Sequence, residues 1–315
     1  MDLVNKKILV TGGAGFLGRW VVRELNKKGI TNVRISRSLE YDLRQKSACQ
    51  EVVKNIDIVI HLAAQIGGIG FISKHPGEVF YNNILMGIQL MEEARLAGVK
   101  KFVTIGTVCE YPRLPSLPFQ EDDLWNGYPD ESTAGYGWAK KTLLVMGKVY
   151  KEQYGFHSIH LLPVNLYGPE DNFAQSAHVI PSLIRRVIEA RDQKLPTVVV
   201  WGTGRASREF LYVEDAARGI VLATEQYDDV EPVNLGTGEE IKVKDVVKRI
   251  KGIVRYDGSI TWDTSKPDGQ PRRQLDIRRA RKFFGFTAKT PFEKGLKKTI
   301  RWYQRTLNFH NTRVL

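Results

Sequence analysis

Gly12-Gly13-Ala14-Gly15-Phe16-Leu17-Gly18 joins an apolar run at residues 7–11 to a helical pattern at 19–28. Glycines at 12, 15 and 18 permit a tight turn, close approach of backbone to a pyrophosphate, and close packing of a helix on a sheet. The free amides and dipole at a helix N-terminus favour negative charge, so phosphates are expected to rest there. A glycine pattern alone is a weak signal. With a strand before it and a helix after it, this one predicts a dinucleotide-binding turn.

Working outward, nearly all-apolar runs at 33–36, 57–61, 102–105 and 158–163 alternate with helical patterns at 45–54, 79–97 and 136–154. That alternation predicts a parallel sheet with crossover helices, its strands covered on both faces. The expected fold class is α/β: a doubly wound, Rossmann-type parallel sheet with a smaller, interleaved substrate-binding lobe. Beyond Asn165 the composition shifts. Residues 166–173 read as a loop, followed by a helix at 178–190, a strand at 197–201, a helix at 215–224 and a strand at 232–236. Two last helices are expected at 243–252 and 291–305, with a turn-rich stretch at 265–271 between them and a loose tail from 308. The expected division is a dinucleotide-binding domain at 1–165 and a substrate lobe at 166–315, with about 206–237 returning to the first.

A chain of 315 residues, 42% hydrophobic and 26% charged, can bury a proper core, and no apolar run reaches membrane-spanning length. Two cysteines give no disulfide framework, and because residues 1–7 run straight into an expected strand, no signal peptide is expected. A cytoplasmic setting is expected. The net charge of +12 is spread over scattered Lys and Arg pairs. It favours a small polyanion, such as a nucleotide sugar plus a dinucleotide, over nucleic acid. Cys49 falls on a helical pattern and reads as a structural thiol.

Cofactor choice depends on the end of the second expected strand, where an acid commonly binds the ribose 2′-hydroxyl. Here Ser36-Arg37-Ser38 stands there, with Arg19 opening the nearby helix. Guanidiniums and hydroxyls suit a 2′-phosphate, so NADP is favoured over NAD. Glu40 and Asp42 follow, either of which could aim at the ribose or adenine.

Thr107 follows the apolar run at 102–105, and Tyr136-Gly137-Trp138-Ala139-Lys140 lies downstream. On a helix, Tyr136 and Lys140 share a face, and the ammonium is expected to lower the phenol's pKa. Tyr136 could then pass a proton to or from a substrate oxygen that Thr107 also holds. Hydride chemistry needs no thiol, yet Cys109 stands two residues from Thr107. It points to a second reaction, on a carbon acid, in the same pocket.

Together these features resemble the extended short-chain dehydrogenase/reductases, and within them the GDP-L-fucose synthase family. The likeness runs almost the whole length, through residues 61–69, 106–112, 165–173, 178–181, 199–204, 208–210 and 265–269. It implies a bifunctional 3,5-epimerase and NADPH-dependent 4-reductase acting on GDP-4-keto-6-deoxy-D-mannose. Thr107, Tyr136 and Lys140 would carry the reduction; Cys109 and His178 would carry the epimerisations. Around the cofactor it places Gly12, Gly15, Phe16, Leu17, Gly18, Arg19, Arg37, Asp42, Leu43, Leu62, Ala63 and Ala64. Tyr136, Lys140, Pro163, Asn165, Leu166 and His178 complete that set. Arg186, Trp201, Arg208 and Lys266 would surround the nucleotide sugar, Trp201 either stacked on guanine or in a core. The resemblance also implies a homodimer through the helices at 79–97 and 136–154, and no metal.

The chemistry is coherent. Protons at C3 and C5 are acidic beside a 4-keto group, and inversion needs a base on one face and a donor on the other. A thiol and an imidazole both titrate within reach of neutrality. Thr107, Tyr136 and Lys140 would stabilise the enolate at O4. Where the family usually reads Gly-Ser-Ser-Cys-Ile-Tyr-Pro, this chain has Thr107-Val108 for the serines and Glu110 for isoleucine. Glu110 is expected to act on the thiol or to bind a different sugar hydroxyl. His61 reads as packing behind the cofactor and His160 as a satisfied core histidine, while His75, His157 and His310 lack metal-ligand spacing. An epimerase-only or reductase-only enzyme on another GDP-4-keto hexose or heptose is the alternative. A non-catalytic dinucleotide sensor is a more distant one.

Overall fold

All four residues of β1 (Ile8–Thr11) are buried, as a strand covered on both faces requires. The computed structural model describes residues 1–174, 177–266 and 268–311. After β1 come α1 (Phe16–Lys27), β2 (Val33–Ser36), α2 (Lys46–Val52), β3 (Ile58–His61), α3 (Ile69–Lys74), α4 (Pro76–Leu96) and β4 (Lys101–Ile105). Next are α5 (Ala134–Tyr154), β5 (Ser158–Pro163), β6 (Asn165–Tyr167), α6 (Val179–Asp192), β7 (Thr197–Trp201) and β8 (Ser207–Tyr212). The chain closes with α7 (Val213–Gln226), β9 (Val233–Leu235), β10 (Glu240–Lys242), α8 (Val243–Val254), β11 (Ser259–Asp263), α9 (Arg278–Phe284) and α10 (Phe292–Asn311).

Six parallel strands form the main sheet in the order β2-β1-β3-β4-β5-β9. Alternation along the strands sends successive side chains to opposite faces. Ile8 and Val10 pack with Val21 and Leu25 of α1 and Ala216 and Ile220 of α7. Leu9 points the other way, into a core shared with Cys49 of α2, Leu90 and Met91 of α4, and Leu143 of α5. Because β2 and β3 flank β1 on opposite sides, the strand order reverses at β1. The crevice beyond the strand ends there is where such sheets bind ligands.

A second core gathers Leu183 and Ile184 of α6, Val198 and Val200 of β7, Phe210 and Tyr212 of β8, Val246 and Ile250 of α8, and Leu296 and Ile300 of α10. Phe173 stacks on Tyr303 there, ring centroids 4.0 Å apart. Small sheets support it: β10-β8-β6 and β11-β7.

The stretch expected to be a loop at 166–173 begins inside a strand, β6, which pairs with β8. Three residues are too few to display a period, so partner strands create this element rather than local pattern. The three-residue β10 escaped the reading for the same reason, and β8, β11, α3 and α9 were not read either. The last helix continues to Asn311 instead of ending near 305, carrying apolar Trp302, Tyr303 and Leu307 into the second core. Residues 312–315 of the expected tail, and Pro267 of the turn-rich stretch, lie outside the described residues. Among the described residues no helix is long and apolar enough to cross a membrane.

Candidate active site

The β1–α1 turn is pressed against the end of β3. Gly12 has φ +66°, and a Cβ there would meet the Ala63 nitrogen at 2.8 Å. A Cβ on Gly18 would meet the Gly12 carbonyl oxygen at 2.1 Å, so the first turn of α1 lies directly on the loop. Gly15 caps α1 without a side chain, and no acid stands in its first turn. The amides at this helix end therefore face the cavity with no side-chain cap. A cradle that side chains would fill, at a positive helix end, fits a pyrophosphate.

That cradle is one end of a cavity of about 2430 Å³. Phe16, Leu17, Arg19, Arg37, Asp42, Leu43, Leu62, Ala63 and Ala64 line it, as do Pro163, Asn165 and Leu166. Arg37 is exposed on the wall beside Ser36 and Ser38, and its guanidinium has no partner among the described residues. Two other expected contacts line the same cavity and carry protein partners of their own. Asp42 is clamped by Arg44, at 2.9 Å to Nε and 2.8 Å to Nη2, which holds its carboxyl below the usual range. Arg19 spends its guanidinium on the Ala14 carbonyl at 2.8 Å and on Glu170 at 3.3 Å. Both are tethered, whereas Arg37 lines the cavity with its guanidinium unpaired among the described residues.

Thr107, Cys109, Tyr136, Lys140 and His178 all line this one cavity. Thr107 stands two residues after β4 and caps a 3-10 turn (Val108–Glu110), its Oγ1 accepting the Cys109 N–H at 3.2 Å. Tyr136 and Lys140 project from the first turns of α5. That helix backs closely onto the turn: a Cβ on Gly137 would meet the Cys109 carbonyl oxygen at 2.3 Å. His178 is the N-cap position of α6 and opens to the cavity.

The electrostatics overturn one expectation. Burial pushes the Tyr136 phenol well above its ordinary pKa, and Cys109 and Glu110 add to the shift. Lys140 does not lower it. Burial also brings Lys140 down to about 8, with Glu110 pulling the other way. In this environment the tyrosine holds its proton firmly at neutral pH, and Lys140 sits near its titration. Desolvation lowers the pKa of the His178 imidazole. His61 packs behind the site, its Nδ1 2.8 Å from Thr11 Oγ1; burial first and then Lys140 push it down to about 3.

Glu110 is also corrected. It is fully buried and faces away from the cavity, bonding to the Thr107 N–H at 2.7 Å and to His160 Nε2 at 3.0 Å. It is not placed to bind a sugar hydroxyl.

At the far end Trp201 is 56% exposed and lines the cavity, so it is no core residue. Lys266 does not line the cavity; it sits beside Trp201, its Nζ 5.8 Å from the ring centroid. Arg186 and Arg208 line the wall. Arg208 donates to the Ser207 carbonyl at 2.7 Å and the Asp268 carbonyl at 3.1 Å, and burial pulls it down to about 10. Sequence reasoning missed Arg273, Gln270 and Asp268, which line the same end. Arg273 reads from sequence as one of many scattered charges, and no spacing sets it apart. Among the described residues no group of three or more His, Cys, Asp or Glu could hold a metal.

A glycine cradle at the reversal of a parallel sheet, opening onto a Thr-Tyr-Lys set, defines a dinucleotide-dependent enzyme fold of the extended short-chain dehydrogenase/reductase type. Residues 8–236 match the NAD dependent epimerase/dehydratase family. A probable GDP-L-fucose synthase 1 from Oryza sativa subsp. japonica is 35% identical over 94% of this chain and 92% of its own. A GDP-L-fucose synthetase from Naegleria fowleri, solved bound to NADP, is 30% identical with a TM-score of 0.86, covering 96% of this chain and 95% of that one. A GDP-6-OMe-4-keto-L-xylo-heptose reductase from C. jejuni superposes with a TM-score of 0.91 at 26% identity, covering 97% and 99%. The chain belongs to the NAD dependent epimerase/dehydratase family and is a relative of the GDP-L-fucose synthases.

Proposed function

We propose that the protein is a bifunctional enzyme that epimerises C3 and C5 of GDP-4-keto-6-deoxy-D-mannose and reduces C4 with NADPH, giving GDP-L-fucose. The observation that carries this reading is the convergence of Thr107, Tyr136, Lys140, Cys109 and His178 on one cavity. That cavity runs from the glycine cradle to Trp201 and Arg208. The full-length likeness to GDP-L-fucose synthases supports it.

The NADP-bound relative supports NADP as the cofactor; residues 12–18, the Ala63 backbone and Arg37 would hold it, Arg37 on the 2′-phosphate. When bound, NADPH supplies the hydride. The chain's own part is proton management. Tyr136, a phenol that burial pushes further above its ordinary pKa, gives its proton to O4 as charge develops there. Thr107 Oγ1 orients that oxygen, and charged Lys140 stabilises it in both steps. Unprotonated His178 takes the proton from C3 or C5 on one face, and the Cys109 thiol delivers its own proton to the other face. Exchange with solvent then strips the imidazolium and reprotonates the thiolate before the second centre is inverted. Arg186, Arg208 and Trp201, with Lys266 beside Trp201, hold the nucleotide end.

A reductase acting on another GDP-4-keto sugar, including a heptose, is the second reading, favoured by the 0.91 TM-score to the C. jejuni reductase. Incubation with GDP-4-keto-6-deoxy-D-mannose and NADPH in deuterated water decides between them. Falling NADPH absorbance with deuterium at C3 and C5 of the product supports the bifunctional reading; NADPH loss without deuterium supports the second.

The enzyme works in the cytoplasm, as a homodimer joined along α4 and α5. Exposed Phe80, Tyr81, Val145 and Val149 on those helices support this pairing. A monomeric mass by light scattering would count against it. Residues 1–165 with about 206–237 would form the cofactor domain and the remainder the nucleotide-sugar lobe, with β8 at the junction: it lends Phe210 and Tyr212 to the second core, while α7 and β9 pack in the first.

A further inference from the structure

The back of the catalytic turn carries an arrangement that the chemistry above does not use. Glu110 Oε1 accepts the Thr107 backbone N–H at 2.7 Å, closing a capping box on the turn. Its Oε2 lies 3.0 Å from His160 Nε2. His160 Nδ1 in turn lies 2.7 Å from Thr104 Oγ1, whose own proton goes to the Ile159 carbonyl at 3.0 Å. Nδ1 must therefore donate to Thr104, and a further proton must sit between Nε2 and Oε2. Whichever atom holds that proton, the pair is neutral as a whole, the condition for keeping a carboxyl group inside a core. Gly106 makes the room: a Cβ there would meet Glu110 Oε1 and His160 Nε2, each at 2.3 Å. On the other side Lys141 Nζ donates to the Glu110 carbonyl at 3.4 Å.

We propose that Glu110 and His160 are positioning residues, a proton-sharing buried pair that fixes the turn presenting Thr107 and Cys109 to the cavity. This rests on the roles given to Thr107 and Cys109 above. Hydrogen-bond geometry, not charge, does the holding. Glutamine at 110 reproduces it, since its amide oxygen can accept from Thr107 and its amide N–H can donate to His160 Nε2. Alanine offers neither.

Three variants test the pair in the NADPH-loaded enzyme. Glu110→Ala is expected to lower kcat of reduction about thirtyfold, because a small misplacement of a reacting group acts on the transition state. KM and NADPH affinity should stay within about threefold, and Glu110→Gln should stay within about threefold of wild type in all three quantities. A Glu110→Ala enzyme with unchanged kcat, or Glu110→Gln falling as far as Glu110→Ala, overturns the proposal. A second readout needs no substrate: iodoacetamide alkylation of Cys109, followed by mass spectrometry with buried Cys49 as internal control. The rate should change about fivefold or more in Glu110→Ala and about twofold or less in Glu110→Gln, as accessibility governs thiol reactivity. Equal rates in all three proteins overturn the proposal. Should Glu110→Ala fail to fold, Gly106→Ala breaks the same pair by contact; it should match the alanine outcomes, and wild-type behaviour would refute the pair. A wild type that oxidises no NADPH with any GDP-4-keto sugar, while the alkylation pattern holds, counts against the function and not against the pair.

Discussion

At the cradle end, the cavity wall is backbone from one contiguous stretch, residues 12–18, braced by Ala63. At the far end it is side chains brought from β7, β8 and residues 268–273. The first surface is rigid because its glycines leave no space: added Cβ atoms would lie 2.1 Å and 2.8 Å from backbone. The second is built from long groups such as Arg186, Arg208 and Trp201, each of which can be shortened without moving a strand. The comparison implies that mutations at the cradle act through shape and all-or-none binding, whereas those at the far end grade affinity. Between the two ends lies the proton-handling set, where changes should fall on kcat.

The largest effect tests that middle ground. Tyr136→Phe removes the proton donor to O4 and should lower kcat of reduction by about 10²–10⁴, with NADPH affinity little changed, measured by absorbance and cofactor fluorescence. A loss confined to cofactor binding would erase the distinction between middle and cradle. Next, Gly18→Ala sets a Cβ against the Gly12 carbonyl. It should weaken NADPH binding by about a hundredfold, roughly 2.7 kcal/mol, while the thermal midpoint of the free protein falls only modestly. Tolerance of that methyl would show that the cradle is not rigid.

Smaller effects belong to the far end and to pH. Trp201→Ala should raise KM for the nucleotide sugar about tenfold, as lost stacking on a base typically does, and leave NADPH affinity unchanged. For pH the sign follows from Lys140, brought down to about 8. Its charge is present below that value and lost above it, so the reduction rate should decline as pH rises through about 8. A flat profile to higher pH would mean that Lys140 is not the charged partner of O4.

The same contrast explains what was legible. The cradle reads directly from residues 12–18 because its parts are adjacent in sequence and their spacing has a geometric meaning. Thr107, Tyr136 and Lys140 could be grouped because each stands at the end of a strand or the start of a helix whose period is visible. Arg273 and Asp268 could not, since a turn with no period brings them to the wall. Glu110 was misread for a different reason. Adjacency to Cys109 suggested a shared face, yet within a 3-10 turn consecutive side chains diverge, and Glu110 meets a histidine fifty residues on. The register that aligns Thr104 of β4 with His160 of β5 makes that meeting, and strand register is a property of the folded sheet. Asp42 and Arg19 were read for charge alone; Arg44 and Glu170 decide where that charge points.

The central claim is that one cavity runs two separable proton duties, reduction through Tyr136 and epimerisation through Cys109 and His178. It is tested most directly by NMR of GDP-4-keto-6-deoxy-D-mannose in deuterated water with wild type, Tyr136→Phe and Cys109→Ser. The account predicts that Tyr136→Phe still exchanges deuterium into C3 and C5 while NADPH stays unoxidised. It predicts that Cys109→Ser loses exchange at one or both carbons while keeping its NADPH affinity. If both variants lose exchange and reduction together, or if wild type reduces the sugar with no deuterium at either carbon, the claim is contradicted.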